Sequence, residues 1–101
     1  MSATRKKVEI VIDASAQKSL EALLDGLHVR GYTIVPGVRG KGDRGVRRGD
    51  DPFDVSGNIL AFAVVPEEQA DAIVQGTLGL LQKRSGIVLV SDVTVYRPGQ
   101  F

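Results

Sequence analysis

The run NILAFAVV, Asn58 to Val65, is apolar on both of the faces that an extended chain presents. Ile59, Ala61, Ala63 and Val65 fall on one side, and Leu60, Phe62 and Val64 on the other. A strand with this pattern has to sit inside a sheet that is covered twice, so the rest of the chain must supply two covers.

The flanking sequence supplies one. Val8, Ile10 and Ile12 alternate with Glu9, Val11 and Asp13, the two-residue period of a strand with one firmly buried face. From Ala16, the residues Leu20, Leu23, Leu24 and Leu27 form one helical stripe, with Ser15 placed to cap the start and Gly31 to close the end after His28 and Arg30. Tyr32 to Val35 is rich in β-formers and runs into Pro36, which predicts a short or interrupted second strand. After the central run, Pro66, Glu67 and Glu68 open a second helix with Ala70, Ile73, Val74, Thr77 and Leu81 on one face. Lys83 and Arg84 are expected in its last turn, with Gly86 just beyond. The segment IVLVSDVTVYR gives the last strand, with a bend expected at Ser91 and Asp92. The order strand, helix, strand, loop, strand, helix, strand predicts an α+β, ferredoxin-like (βαββαβ) fold in which an antiparallel sheet carries both helices on one face. One domain over residues 1–101 accounts for the whole chain.

The second sheet face then remains open. At about 25 cal/mol per Å² of apolar surface, leaving it wet would forfeit several kcal/mol that a small domain needs. Self-association through that face is the expected cover, and a curled sheet or a loop folded back is the alternative.

Between Gly37 and Gly57 the chain is glycine-rich and lacks apolar periodicity. Loops longer than about 12–15 residues are uncommon in compact domains and usually functional or disordered. Within this one, RGKGDRGVRRGDD places Gly40, Gly42 and Gly45 at the spacing of a dinucleotide fingerprint. That fingerprint works only between a buried strand and a helix, and Gly49, Asp50, Asp51 and Pro52 stop any helix here. A Walker A motif is excluded as well, because Gly42 stands where a magnesium-binding Ser or Thr is required. Two readings remain equal on the residues alone. One is a phosphate cradle, with backbone N–H groups in a positive-φ nest and charge from Lys41, Arg44 and Arg47; the other is a solvated loop whose aspartates balance its basic residues.

Composition narrows the function. The 13 basic and 12 acidic side chains nearly cancel, which removes the global field that non-specific nucleic-acid or membrane binding uses. An RNA-binding sheet would display aromatic residues on its central strands, and here Phe62 stands alone among Glu9, Val11 and aliphatics. There is no cysteine, and the single His28 has no second metal-ligating partner of its kind, so thiolate, disulfide and hydrolytic metal chemistry are not expected. The adjacent acidic pairs, Glu67 with Glu68 and Asp50 with Asp51, sit where helix starts and turns favour them. The chain is expected to be cytoplasmic and not an enzyme, with no transmembrane segment and no nucleic-acid partner.

GYTIV from Gly31 and GKGDRGVRR from Gly40 resemble the second-strand start and T-loop base of the PII signalling superfamily. The likeness is strongest to the PII-like proteins that accompany bicarbonate transporters and carboxysomes, and it extends in element order over nearly the whole chain. That resemblance implies a homotrimer binding adenine nucleotides between subunits and contacting a transporter or carboxysome-associated partner through a T-loop at about 37–57. Carried over by position, Gly40, Lys41 and Gly42 would wrap the nucleotide and Arg44 and Arg47 would hold its phosphate. Gly31, Tyr32 and Thr33 would lie near adenine and ribose. Phe62 and Ala63, with Gly86, Ile87 and Val88 of a neighbouring subunit, would close the pocket. Before the last strand the usual glycine- and lysine-bearing loop is reduced to KRSGIV, which favours AMP, ADP or cyclic AMP over ATP. No glutamine stands in GKGDRGV for 2-oxoglutarate, and residues 46–57 hold no tyrosine for uridylylation. Bicarbonate is a candidate second ligand near the loop, and no further cofactor is required. The rival reading is a trimeric ferredoxin-like small-molecule enzyme or metal-tolerance-type protein.

Overall fold

A computed structural model describes residues 1–42, 45–47 and 57–100. Strand β1 runs over Ser2–Asp13, helix α1 over Gln17–Gly26 and strand β2 over Thr33–Val38. Two short strands, β3 (Gly40–Gly42) and β4 (Gly45–Arg47), precede β5 (Asn58–Val65), helix α2 (Glu67–Leu81) and β6 (Gly86–Tyr96). The long strands form a four-stranded antiparallel sheet in the order β2-β5-β1-β6, and β3 with β4 forms a separate hairpin. This is the expected α+β, ferredoxin-like architecture, with β5 and β1 at its centre.

The central run behaves as its two-sided pattern requires. Ile59, Ala61, Ala63 and Val65 are buried and pack with Val8, Ile10 and Ile12 of β1 under Ala16, Leu20, Leu24, Ala70 and Ile73. Each fully buried Leu or Ile among them contributes about 1.5–3 kcal/mol through removal of apolar surface from water. On the opposite face Leu60, Phe62 and Val64 are only half-buried, and Ile87 and Leu89 of β6 are 50% exposed. Val11 pairs with Leu60 on one side and Ile87 on the other, and Val35 pairs with Leu60 from the edge, so these residues form one continuous apolar surface.

Several local expectations are corrected. A 3-10 turn over Ala14–Ala16 precedes α1, and its start is capped by Asp13, whose Oδ1 accepts the Ser15 N–H at 2.9 Å, instead of by Ser15. Helix α1 also closes earlier than Gly31. The Val29 N–H bonds the Leu24 carbonyl at 3.1 Å and the His28 N–H bonds the Asp25 carbonyl at 3.0 Å, a Schellman closure with buried Val29 packed beside Leu24. His28, at φ 59°, takes the left-handed position usually given to glycine.

Strand β2 continues through Pro36 to Val38, with a register shift between Val35 and Val38. Pro36 is tolerated there because β2 lies at the sheet edge. Helix α2 ends at Leu81, so Lys83 and Arg84 lie beyond its last turn, although Arg84 still satisfies its end by donating from Nη1 to the Leu80 carbonyl at 3.0 Å. Strand β6 runs straight through Ser91 and Asp92, because these two residues pair with Lys7 and Lys6 of β1. The Lys6 ammonium hydrogen-bonds the Asp92 carboxylate, which raises its pKa above the ordinary lysine value. The base of the loop between Gly37 and Gly57 is also more ordered than its composition suggested, since it holds the β3–β4 ladder.

Candidate nucleotide site

The glycine and basic run is organised by that ladder. Gly40 pairs with Arg47, Lys41 with Val46 and Gly42 with Gly45. Arg44 lies outside the described residues and Arg47 is described through its backbone, so their expected phosphate contacts carry no geometry here. The positive-φ nest expected of these glycines is not at Gly40. Positive φ among the described glycines falls on Gly37 at 68° and Gly57 at 51°, where the chain enters and leaves the loop. Gly57 is tied to the 3-10 turn before α1 by its carbonyl, which accepts the Ala14 N–H at 3.0 Å.

Gly31 and Gly40 have open space where a Cβ would stand, and neither has a positive φ. Nothing among the described residues demands glycine at these two positions, so a missing side chain there is compatible with close approach by a ligand. Gly86 differs. A Cβ there would come within 2.4 Å of the Val11 carbonyl oxygen and 2.5 Å of Leu81 Cδ2, so packing inside the subunit is enough to require glycine.

The remaining candidates divide by sheet face. Thr33 pairs with Phe62, and both stand on the open face with Ile87. Lys7 Nζ lies 5.0 Å from the Phe62 ring centroid and 3.8 Å from Glu9 Oε1, giving the aromatic ring a cationic neighbour. Tyr32, Ala63 and Val88 turn instead toward the helices and their core. The Tyr32 hydroxyl donates to Asp25 Oδ1 at 3.1 Å, and its pKa is raised by partial desolvation, by that hydrogen bond and by the charges of Asp25 and Glu21. From Tyr32, Ala63 and Val88 a ligand on the open face could meet backbone only.

Gly31 to Thr33 with Phe62 lie toward the β2 edge, and Gly86 to Val88 lie on the β6 edge. Strands β2 and β6 are separated by two others, roughly 14 Å at ~4.8 Å per strand. The two groups therefore do not meet within one subunit. Reading the residues in isolation missed a further cluster, Arg5, His28, Arg30 and Gln69, which lines a cleft at the other end of the sheet. Its members are scattered along the chain and belong to no motif, so only the fold reveals them.

The described residues thus form a four-stranded ferredoxin-like sheet with one open apolar face and a separate glycine-rich hairpin. The family model of the nitrogen regulatory protein P-II matches residues 5–100, and the chain belongs to that family. Proteins of the family are regulators and typically trimers. No curated protein matches the chain. Among solved structures it is similar to CPII, a PII-like protein from Thiomonas intermedia K12 bound to ADP, AMP and bicarbonate, at 34% identity over 100% of this chain and 96% of that one, with a TM-score of 0.92. The apo form of CPII matches at 31% identity and a TM-score of 0.79, covering 97% of this chain and 98% of that one. A PII-like signalling protein from Thermus thermophilus matches at 32% identity and 0.78, over 99% and 97%. The chain is thus a PII-like regulatory protein. No helix among its described residues is long and apolar enough to cross a membrane.

Proposed function

We propose that this protein is a homotrimer that binds AMP, ADP or cyclic AMP, in preference to ATP, in clefts between its subunits. The observation that carries the reading is the hairpin of Gly40–Gly42 and Gly45–Arg47, with unexplained glycines at 31 and 40 beside a basic run, in a chain similar to a protein bound to ADP and AMP. Gly40 and Gly42 bring backbone N–H groups to the phosphate, Lys41, Arg44 and Arg47 neutralise it, and Thr33 and Phe62 flank the base. Gly86, Ile87 and Val88 of the neighbour close the pocket.

The regulated process is inorganic carbon (bicarbonate) uptake or carboxysome-linked CO₂ fixation, read out through the loop at 37–57 by a transporter or carboxysome-associated partner. Bicarbonate is a second ligand in this reading, supported by its presence in the similar CPII complex. A nucleotide can shift the loop only by binding one of its arrangements more tightly, and ordering Arg44 and Arg47 on a phosphate supplies that difference. Chemistry is not required for such a role.

Calorimetry with AMP and ADP tests the site. A hydrogen bond to a charged group contributes about 1.5–3 kcal/mol, so the double variant Arg44→Ala, Arg47→Ala should weaken both nucleotides by at least about tenfold. Unchanged affinity would remove the assigned phosphate contacts.

A further inference from the structure

The open face of the sheet is not uniformly apolar. Lys7 and Glu9 of β1 stand on it among the side chains of both neighbouring strands. Lys7 lies in register with Val64 of β5 and Ser91 of β6, and Glu9 with Phe62 and Leu89, while Val11 follows Glu9 on the same side. Strand β1 is an inner strand, so neither charge lies at a sheet edge. Arg5 stands on the same side but beyond the β1–β5 ladder, which begins at Lys6.

The two charges attract without closing on each other. Lys7 Nζ lies 3.8 Å from Glu9 Oε1, outside hydrogen-bond range, and each side chain keeps 34% of its surface exposed. Among the described residues neither side chain makes a hydrogen bond. Lys6, one residue earlier and on the helix side, differs in being hydrogen-bonded to Asp92. The Phe62 ring, 5.0 Å from Lys7 Nζ, keeps the ammonium over the apolar surface. An ammonium has three donors and a carboxylate about four acceptor sites, which water serves while the face is open. A purely apolar cover would bury both groups unserved, at a cost that loose mutual attraction does not offset.

A cover for this face must therefore bring an acceptor and a donor to its middle. A second copy of the same face carries one carboxylate and one ammonium at equivalent positions, so contacts between identical subunits can run from Lys7 to Glu9 and repeat around a closed ring. We propose that Lys7 and Glu9 select the subunit contact, with Lys7 of each subunit paired to Glu9 of the next across the covered face. The inference rests on the trimer proposed above and assigns the polar residues that specify it.

Sedimentation of the full chain, at matched ionic strength over a range of protein concentrations, tests the pairing. Lys7→Glu and Glu9→Lys each set like charges against one another, and each alone should raise the concentration for half-assembly by at least about tenfold. Mixed in equal amounts, the two variants should co-assemble at concentrations where neither does so by itself. The swap Lys7→Glu, Glu9→Lys should return assembly toward that of the wild type. Lys7→Met, Glu9→Leu should assemble at least as tightly as the wild type, because no charge is left to satisfy. Far-UV circular dichroism checks the sheet in every variant; where a reversal disturbs it, Lys7→Gln and Glu9→Gln read the same loss by leaving one charge unpaired. A wild-type trimer whose single variants assemble unchanged, or whose mixture shows no gain over its components, would overturn this pairing and leave the trimer standing. A wild-type monomer would overturn both.

Discussion

Thr77 is fully buried, and its hydroxyl has no hydrogen-bond partner among the described residues. A buried polar group left unpaired costs about 1–3 kcal/mol, so Thr77→Val, which keeps the shape and removes the hydroxyl, should stabilise the protein by about 1 kcal/mol. Urea unfolding should show a higher midpoint with an unchanged slope, and a lower midpoint would mean that the hydroxyl is satisfied. Helical spacing had placed Thr77 on the core face correctly. Spacing could not say whether the hydroxyl would find a partner, because that depends on its rotamer and on the neighbouring elements. The same limit explains the caps. Hydrophobic period located α1, but the 3-10 turn before it moved the cap from Ser15 to Asp13, and its early closure moved the left-handed residue from Gly31 to His28. Gly31, freed from a role in ending the helix, is thereby available for the approach of a ligand.

Among the elements, close packing separates two glycines that look alike in sequence. At Gly76 a Cβ would press on the flexible end of Leu23, with Cδ1 at 2.5 Å, whereas at Gly86 it would meet the Val11 carbonyl of the paired strand at 2.4 Å. Leu23 can rotate away, and alanine gains about 1 kcal/mol of helix propensity over glycine, so Gly76→Ala should change stability little. The backbone of β1 cannot move without breaking its ladder with β6, so Gly86→Ala should cost about 1–3 kcal/mol. Thermal melts of the two variants check the contrast, and equal melting temperatures would contradict it. Strand β6 also shows why a local rule failed. Ser91 and Asp92 favour a turn in isolation, but pairing with Lys7 and Lys6 holds them extended. The β3–β4 hairpin was missed for the opposite reason, since a ladder so rich in glycine carries no period-two signal.

For the molecule as a whole, the two-sided strand β5 was the most informative segment. Its pattern required a second cover, and the apolar surface of Val11, Val35, Leu60, Phe62, Ile87 and Leu89 is the face that needs it. Sedimentation should give the mass of three chains, and Ile87→Glu, Leu89→Glu should drive it to one, because two carboxylates cannot be buried unpaired in an apolar contact. A wild-type monomer would remove both the trimer and the pocket between subunits. Physics alone called for a partner copy; the number three came from the family. The proposed nucleotide site is readable as a motif but not as a geometry, since the two groups of residues assigned to it lie on opposite sheet edges.

Ser2 pairs with Tyr96, so the longest ladder of the sheet joins the two extremes of the described chain. During synthesis β1 leaves the ribosome first and waits for β6 to follow, while β5, its other neighbour, also emerges late. Until then both edges of β1 lack their ladder partners. Closing such distant pairs is entropically costly, which places folding in the slower range for domains of this size and makes the nascent chain the form that most needs protection from aggregation.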